Sequence, residues 1–213
     1  MANRPVYVPL KKAPFVDVFM PEFTWNGGFA ASQKQKNIVA LHESFHKRFP
    51  DRKVLEISSK SLQDLGVKLS AFNLKKSVPS LGMSIPVECV FQGGKVFSAG
   101  GPYFDLYKVS PREAKRDQRL KSSGMLRSFT FEGEIMPLVP RTVFYNWLYV
   151  NALIENPEYA EQLLQFDAFT DIEFNPDKSI NCQAEAAALF VSLSRLNLVD
   201  KCKDFTSFLS LFQ

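Results

Sequence analysis

The chain has 213 residues, of which 46% are hydrophobic and 23% charged, so it can fill the core of one folded domain. A formal net charge of +4 gives a mildly basic surface, which permits a polyanionic partner without requiring one. No apolar run reaches membrane-spanning length, and the N-terminus lacks the apolar stretch of a signal peptide. The cysteines Cys89, Cys182 and Cys202 have no paired spacing, which favours reduced thiols in a cytoplasmic protein. Because no apolar run is long enough to span a bilayer, no membrane partner is expected.

The elements are predicted from hydrophobic periodicity and from helix start signals. Residues 1–32 predict short strands punctuated by prolines, and one of these strands lies over 15–19. Further strands are predicted over 54–57, 67–74 and 129–131. Helices are predicted over 33–48, 86–97, 110–119, 142–155, 156–164, 184–196 and 204–212. The sum is a mostly helical α+β fold in a single domain with a few short strands.

The predicted helix over 86–97 carries the most distinctive polar stripe. At about 100° per residue, Glu88, Gln92 and Lys95 share one narrow face. Gly93 and Gly94 each cost about 1 kcal/mol relative to Ala in a helix, which suggests close approach of a ligand or another backbone. The stripe is thus a candidate catalytic face, and an ordinary solvated helix face is the alternative.

The predicted helix that begins at Ser110 carries a stripe of cations. Arg112, Lys115, Arg116 and Arg119 recur at helical spacing, and a stripe of this kind can hold a pyrophosphate or nucleic-acid phosphates. Charged helix faces are also commonly just solvated. The spacing therefore leaves both interpretations open.

His42 and His46 form an H-E-x-x-H pattern on the first predicted helix. Two histidines one turn apart can bind zinc, with Glu43 as a general base. Lys47 and Arg48 follow at once and would oppose a metal, and the chain has no third histidine. A partly exposed amphipathic helix is therefore favoured over a zinc protease.

A long polar stretch over 167–183 separates two predicted helices and favours a loop that faces a substrate. It contains Asp171, Glu173 and Asn181; a hard-cation site is the alternative, although the glycine of an EF-hand is absent. Two other polar segments follow predicted strand positions and could contact phosphate or ribose, and they include Ser58, Lys60 and Asn73.

Taken in chain order, these segments resemble the NADAR superfamily, which includes the YbiA-type N-glycosidases. Residues 88–97 are similar to its E-x-x-F-Q-x-x-K-F segment, and 110–115 to its S-P-x-x-A-K helix. The remaining similarities are weaker and lie at 70–73, 151–164 and Asn181. The resemblance spans roughly 54–196, and the wider sequence is most similar to the antitoxin branch associated with DarT-type toxins.

This resemblance implies a catalytic domain over 54–213 with an N-terminal extension, residues 1–53, packed on its core. It implies an ADP-ribosyl glycohydrolase that removes ADP-ribose from guanine in DNA and so acts as the antitoxin to a DarT-type DNA ADP-ribosyltransferase. The implied partners are ADP-ribosylated DNA, ADP-ribose and a cognate toxin, with no cofactor and no metal. Glu88 and Lys95 would be catalytic, and the implied substrate-binding residues are Ser58, Lys60, Asn73, Gln92, Lys115, Arg116, Asp171, Glu173 and Asn181.

One departure from the superfamily affects this assignment. The Gly-rich W-G-x-G loop of the YbiA type is replaced here by residues 169–174, so the residue that meets the ribose or the base is open. Two alternatives follow from different functional classes. The protein could be an N-glycosidase acting on small phosphorylated or ADP-ribosyl metabolites, or an antitoxin that binds ADP-ribose without catalysis.

Overall fold

The structure, a computed structural model, describes residues 1–213 and confirms the α+β class. The strands are β1 (Ala2–Asn3), β2 (Val6–Pro9), β3 (Val16–Phe19), β4 (Glu22–Phe23), β5 (Val54–Glu56), β6 (Lys75–Val78), β7 (Met83–Pro86), β8 (Lys95–Phe97), β9 (Leu126–Phe131), β10 (Glu134–Met136) and β11 (Ala168–Thr170). The helices are α1 (Ala31–His46), α2 (Asp64–Lys68), α3 (Val87–Gly93), α4 (Pro111–Arg116), α5 (Arg119–Ser122), α6 (Val143–Ile154), α7 (Pro157–Leu163), α8 (Gln183–Arg195) and α9 (Phe205–Leu209).

The largest sheet has four strands in the order β3-β2-β11-β5. Strands β5 and β11 are parallel, with Leu55 opposite Phe169, whereas β2 runs antiparallel to β11. Because parallel strands end at the same edge, the residues after Glu56 and Thr170 gather there. The sheet combines strands from both sides of residue 53, and the functional division at that residue stays a prediction.

Helix α6 forms the centre of the main core. Every residue from Val143 to Leu153 is buried, as expected for a helix that is apolar or aromatic at nearly all positions. It packs against α8, whose alanines allow close approach, and α8 in turn covers β2 and β11. No helix in the structure combines the length and the apolar character needed to cross a membrane.

Helix α1 confirms the predicted amphipathic stripe in the N-terminal segment. Ile38, Leu41 and Phe45 are buried in a separate, smaller cluster, where they meet Val54 and Ala168 of the four-stranded sheet. The helix therefore packs beside the strands β5 and β11 whose ends carry the polar residues described below.

The predicted helix over 86–97 is shorter than expected. Helix α3 ends at Gly93, and Lys95 begins strand β8. A Cβ on Gly93 would lie 2.5 Å from the ring of Tyr107, and one on Gly94 would lie 2.5 Å from the carbonyl oxygen of Thr130. The glycines therefore mark a close approach, as predicted, but the neighbours belong to the protein itself and the chain changes from helix to strand there.

Three other predictions from periodicity are wrong in part. Residues 67–74 are not a strand, because the amides of Asn73 and Leu74 both bond to the carbonyl of Ser70 in a local turn. The polar stretch over 167–183 contains the buried strand β11 before its loop begins. The cationic stripe is not one helix face, because α4 ends at Arg116 and α5 begins only at Arg119.

Candidate active site

The start of α3 is fixed by neighbouring backbone rather than by a side-chain cap. The amide of Val87 donates to the carbonyl of Leu74 at 2.9 Å, and the amide of Glu88 donates to that of Ala71 at 2.9 Å. Two amides that would otherwise lack partners at a helix start are thereby satisfied. All seven residues of α3 are buried, so the polar side chains Glu88 and Gln92 are held inside the protein.

A line of hydrogen bonds joins the three residues of the polar stripe. The ammonium of Lys95 donates to Oε1 of Gln92 at 2.7 Å, and Nε2 of Gln92 donates to Oε1 of Glu88 at 2.8 Å. Lys95 Nζ also lies 4.7 Å from the centroid of the Phe91 ring. The three side chains predicted to share one helix face therefore do lie together, although they span the junction between α3 and β8. The amide of Gln92 bridges the carboxylate of Glu88 and the amine of Lys95.

Glu88 also faces a cation from α4. The ammonium of Lys115 lies 3.9 Å from Oε1 of Glu88, and the Lys115 side chain is 59% exposed while that of Glu88 is 7% exposed. Helix α4 begins with the predicted capping box, in which Ser110 and Glu113 satisfy each other's backbone amides. The box fixes the residue at which α4 begins. Helix α4 in turn places Lys115 at the outer side of the site.

Burial lowers the pKa of Lys95 to about 8, since a charged amine loses hydration there. The carboxylate of Glu88 opposes this change, and the charge of Lys115 adds to it. At pH 7.5 roughly a quarter of Lys95 is therefore the free amine, against about one in a thousand for an ordinary lysine. A fraction of Lys95 with a free lone pair at neutral pH is what a nucleophilic role would require.

A second group of acids lies at the shared edge of β5 and β11. Burial raises the pKa of Asp171, and the nearby charge of Glu56 raises it further, while burial also raises that of Glu56. Oδ1 of Asp171 accepts from the amides of Glu173 at 3.0 Å and Phe174 at 3.2 Å. This Asx-type turn fixes the carboxyl group of Asp171 at the start of the polar loop.

Gln183 connects this second group to α3, and sequence reasoning missed it. Its Nε2 donates to the carbonyl of Ile57 at 2.7 Å, and its Oε1 accepts from the amide of Ala71 at 2.6 Å. The carbonyl of Ala71 is the one that receives the amide of Glu88. No local pattern around Gln183 signals this role, because its partners lie more than a hundred residues away in sequence.

Tyr145 of α6 is another neighbour that the sequence did not indicate. Burial raises its pKa, and the charge of Glu88 acts in the same direction. Its ring meets that of Phe91 edge-on at 5.1 Å. In the sequence it is one aromatic residue within a mostly apolar helix, so nothing distinguished it from the core.

The other predicted substrate-binding residues lie in several environments, and no hydrogen bond or ion pair joins them to Glu88 or Lys95. Ser58 is buried and accepts the amide of Lys60 at 3.1 Å. Asn73 donates to the carbonyl of Val67. Glu173 pairs with Lys34 at 3.2 Å. Arg116 is exposed and Asn181 is half-buried.

The two histidines of the H-E-x-x-H pattern bind protein groups in different directions. Nε2 of His42 lies 2.8 Å from the hydroxyl of Thr170, and Nε2 of His46 lies 2.9 Å from the carbonyl of Arg52. No group of three or more ligating side chains in the structure is placed to hold a metal ion. The zinc interpretation therefore gains no support.

A comparison with protein families gives a match to the DarT1-associated NADAR antitoxin family over residues 2–213. The matched range includes the N-terminal segment as well as the residues from 54 onward. A comparison with curated proteins gives no match. Because the family match covers nearly the whole chain, the protein belongs to the DarT1-associated NADAR antitoxin family.

Proposed function

We propose that the protein is an ADP-ribosyl glycohydrolase that removes ADP-ribose from guanine bases in DNA and thereby reverses the action of a DarT-type toxin. The observation that carries this proposal is the line Lys95–Gln92–Glu88. It holds an amine of lowered pKa and a carboxylate on either side of one amide, in a family of antitoxins. An amine and an acid in this arrangement suit attack on the anomeric carbon of an amine-linked ribose.

The proposed reaction is a hydrolysis through a lysine imine. A proton supplied to the ribose ring oxygen breaks the ring C1–O bond and leaves an iminium between C1 and the guanine nitrogen. The free amine of Lys95 adds to C1, and a proton moves from its nitrogen to the guanine nitrogen. The bond from C1 to guanine then breaks, which restores the unmodified base and leaves ADP-ribose joined to Lys95.

Water completes the cycle. It adds to C1 of the lysine iminium, its surplus proton passes to the lysine nitrogen, and the C1–Nζ bond breaks to release ADP-ribose. Glu88 carries protons in these steps and stabilises positive charge at C1. Its Oε2 accepts no hydrogen bond within the protein, so this oxygen is available to substrate or water.

The remaining polar residues have roles in holding the substrate. Gln92 orients the ribose hydroxyls. Lys115 and Arg116, with Lys60, would neutralise the pyrophosphate. Lys115 is the best placed of these cations, because its ammonium already contacts Glu88.

The distribution of charge supports a polymeric substrate over a small metabolite. Residues 108–127, here called the basic segment, contain seven cations and two acids, so the rest of the chain has a net charge of −1. Five of these cations are exposed and form no ion pair in the structure, namely Lys108, Arg112, Arg116, Lys121 and Arg127. Such a surface suits the repeated phosphates of a nucleic acid.

The basic segment also lies directly beside the catalytic residues. Helix α4 packs on α3, and the amides of Ser98 and Ala99, just after β8, donate to the carbonyls of Met125 and Ser123. A strand of DNA held on this surface would therefore place a modified base near Lys95. Free ADP-ribosyl nucleotides would make fewer of these contacts.

The test is mass spectrometry of an oligonucleotide that carries ADP-ribosylated guanine, incubated with a small fraction of one equivalent of protein. The expected products are the unmodified oligonucleotide and free ADP-ribose over many turnovers. Retention of the modified oligonucleotide without turnover would contradict the enzymatic proposal and indicate a binding antitoxin. Faster turnover of a free ADP-ribosyl nucleotide would contradict the DNA assignment.

Cells that express a DarT-type toxin test whether the proposed reaction accounts for protection from the toxin. The wild-type protein is expected to restore growth, whereas Lys95→Met is expected to fail although it is made at the same level. Rescue by Lys95→Met would mean that the antitoxin acts by binding the toxin, and would contradict reversal of the DNA modification.

A further inference from the structure

The H-E-x-x-H pattern contains a residue that the proposed reaction does not use. His42 lies on α1, in the segment before residue 53, yet its Nε2 lies 2.8 Å from the hydroxyl of Thr170 on β11. That hydroxyl donates to Oε2 of Glu56 at 2.6 Å. Three side chains from α1, β11 and β5 therefore form one chain of hydrogen bonds at the edge where the two parallel strands end.

The hydrogens of this chain fix the state of the histidine. With an ionised Glu56 as the acceptor, the single hydroxyl hydrogen of Thr170 is used toward Glu56, and the bond from His42 is then donated by an Nε2–H group. Burial lowers the pKa of His42 to about 4, and the neighbouring His46 acts in the same direction. The ring is therefore neutral at physiological pH, with its hydrogen held on Nε2.

Glu56 extends the chain to the far side of Asp171. Its Oε1 accepts the amide of Ile172 at 2.8 Å while its Oε2 accepts the hydroxyl of Thr170. One buried carboxylate thus holds the residues immediately before and after Asp171. A second contact from α1 acts further along the loop, where Lys34 pairs with Glu173.

The end of β11 is in turn joined to the candidate active site by hydrogen bonds. The carbonyl of Thr170 accepts the amide of Ile57 at 2.8 Å, and the carbonyl of Ile57 accepts Nε2 of Gln183 at 2.7 Å. Oε1 of Gln183 accepts the amide of Ala71, whose carbonyl accepts the amide of Glu88. A displacement at the end of β11 would therefore shift the start of α3 and, with it, the proposed acid.

We propose that His42 is a positioning residue: through Thr170 and Glu56 it fixes the ends of β5 and β11, and through Gln183 these hold Glu88 in the arrangement needed for catalysis. The inference rests on the proposed function for its catalytic consequence, but the chain of hydrogen bonds is testable by itself. It gives the N-terminal helix an indirect part in the active site, through the residues that position Glu88. A misplaced catalytic group is expected to reduce kcat by on the order of tenfold to a hundredfold, with a much smaller change in KM.

The test uses matched substitutions that either keep or remove the donor. His42→Gln can place an amide N–H near the position of Nε2, whereas His42→Leu cannot donate. Thr170→Ser keeps the hydroxyl, whereas Thr170→Val removes it at nearly constant volume. His46→Leu is the control, because His46 lies on the same helix one turn later and bonds to the carbonyl of Arg52 outside the chain.

The expected result is a large fall in kcat for His42→Leu and Thr170→Val, with recovery in His42→Gln and Thr170→Ser. Circular dichroism and melting curves identify which variants are folded, and only folded variants are compared. A folded His42→Leu protein with wild-type kcat and KM would overturn the proposal. So would equal loss in His42→Gln and His42→Leu, or equal loss in His46→Leu.

A measurement that needs no activity separates this inference from the proposed function. Two-dimensional NMR of ¹⁵N-histidine-labelled protein is expected to show His42 as the Nε2–H tautomer, unchanged between pH 5 and 8, with its resonance shifted by Thr170→Val but not by Thr170→Ser. An Nδ1–H tautomer or a ring that titrates in this range would overturn the inference. If the wild-type protein lacks glycohydrolase activity, the proposed function fails. This measurement still shows whether the hydrogen bonds from His42 through Thr170 to Glu56 exist.

Discussion

Two charged regions meet at the candidate site and differ in burial. In the line Lys95–Gln92–Glu88 the acid and the amide are buried, the amine is half-buried, and the three bond to one another, whereas most cations of the basic segment are exposed and unpaired. Burial changes the protonation of an amine, while exposure leaves cations charged and sensitive to salt. Under the proposed function, the first region would carry out the bond chemistry and the second would hold a polyanion.

The largest effect is expected from replacing the buried amine. Lys95→Ala removes the nucleophile, and Lys95→Arg keeps a positive charge but cannot form an imine at neutral pH, so both are expected to lose on the order of 10³-fold or more in single-turnover rate. Rapid-quench release of ADP-ribose measures this loss. Comparable rates for Lys95→Arg and wild type would show that only the charge matters and would remove the distinction between the two regions.

Substitution in the exposed region is expected to act on binding. Arg112→Glu combined with Arg127→Glu should raise KM for a modified oligonucleotide by about tenfold and reduce the salt dependence of binding, while kcat stays near wild type. The matched control is Lys11→Glu with Lys12→Glu, which makes the same charge change on exposed lysines elsewhere. An equal rise in KM for the control would mean that net charge acts rather than this surface.

The pH dependence should follow the buried amine. Because the pKa of Lys95 is lowered to about 8 and the neutral amine is the active form, the rate is expected to rise with pH and to level off above about 8. The rise between pH 7 and pH 9 corresponds to about tenfold in free amine. A rate that is flat or falls over this interval, measured at constant ionic strength, would contradict the assignment.

The smallest effect concerns stability. The folded state binds the proton of Lys95 less tightly than the unfolded state does, so burial of this lysine costs stability below pH 8, and the cost disappears as pH rises toward the pKa of an ordinary lysine. Lys95→Met is therefore expected to stabilise the protein at pH 7 by about 1–2 kcal/mol after allowing for the lost bond to Gln92. Urea unfolding at pH 7 and pH 10 measures this; a gain that does not shrink with pH would contradict the stated cause.

Local sequence patterns predicted the elements whose cause is local. The apolar run of α6, the capping box at Ser110 and the stripe of α1 all gave elements at the observed positions. Local patterns could not predict the junction between α3 and β8. Gly93 and Gly94 are needed there because Tyr107 and Thr130, which lie further along the chain, leave no room for a Cβ atom. Strand β11 was hidden within a polar stretch, since only three residues, Ala168–Thr170, are buried in the sheet.

The candidate site shows the same division. Glu88, Gln92 and Lys95 lie close together in sequence, and helical spacing placed them together even though the helix ends before Lys95. Gln183 and the chain from His42 to Glu56 depend on contacts across more than a hundred residues, which one sequence does not reveal. The assignment of DNA as the substrate came from family resemblance rather than from the spacing of residues.

The central claim is that Lys95 becomes covalently joined to the substrate. Wild-type protein mixed with an oligonucleotide that carries ADP-ribosylated guanine is treated with cyanoborohydride, which reduces a lysine iminium to a stable secondary amine, and is then mapped by peptide mass spectrometry. The account predicts one reduced ADP-ribosyl adduct on Lys95, absent from Lys95→Arg and formed faster as the pH rises from 7 toward 8. Full turnover without any adduct on Lys95 would contradict it.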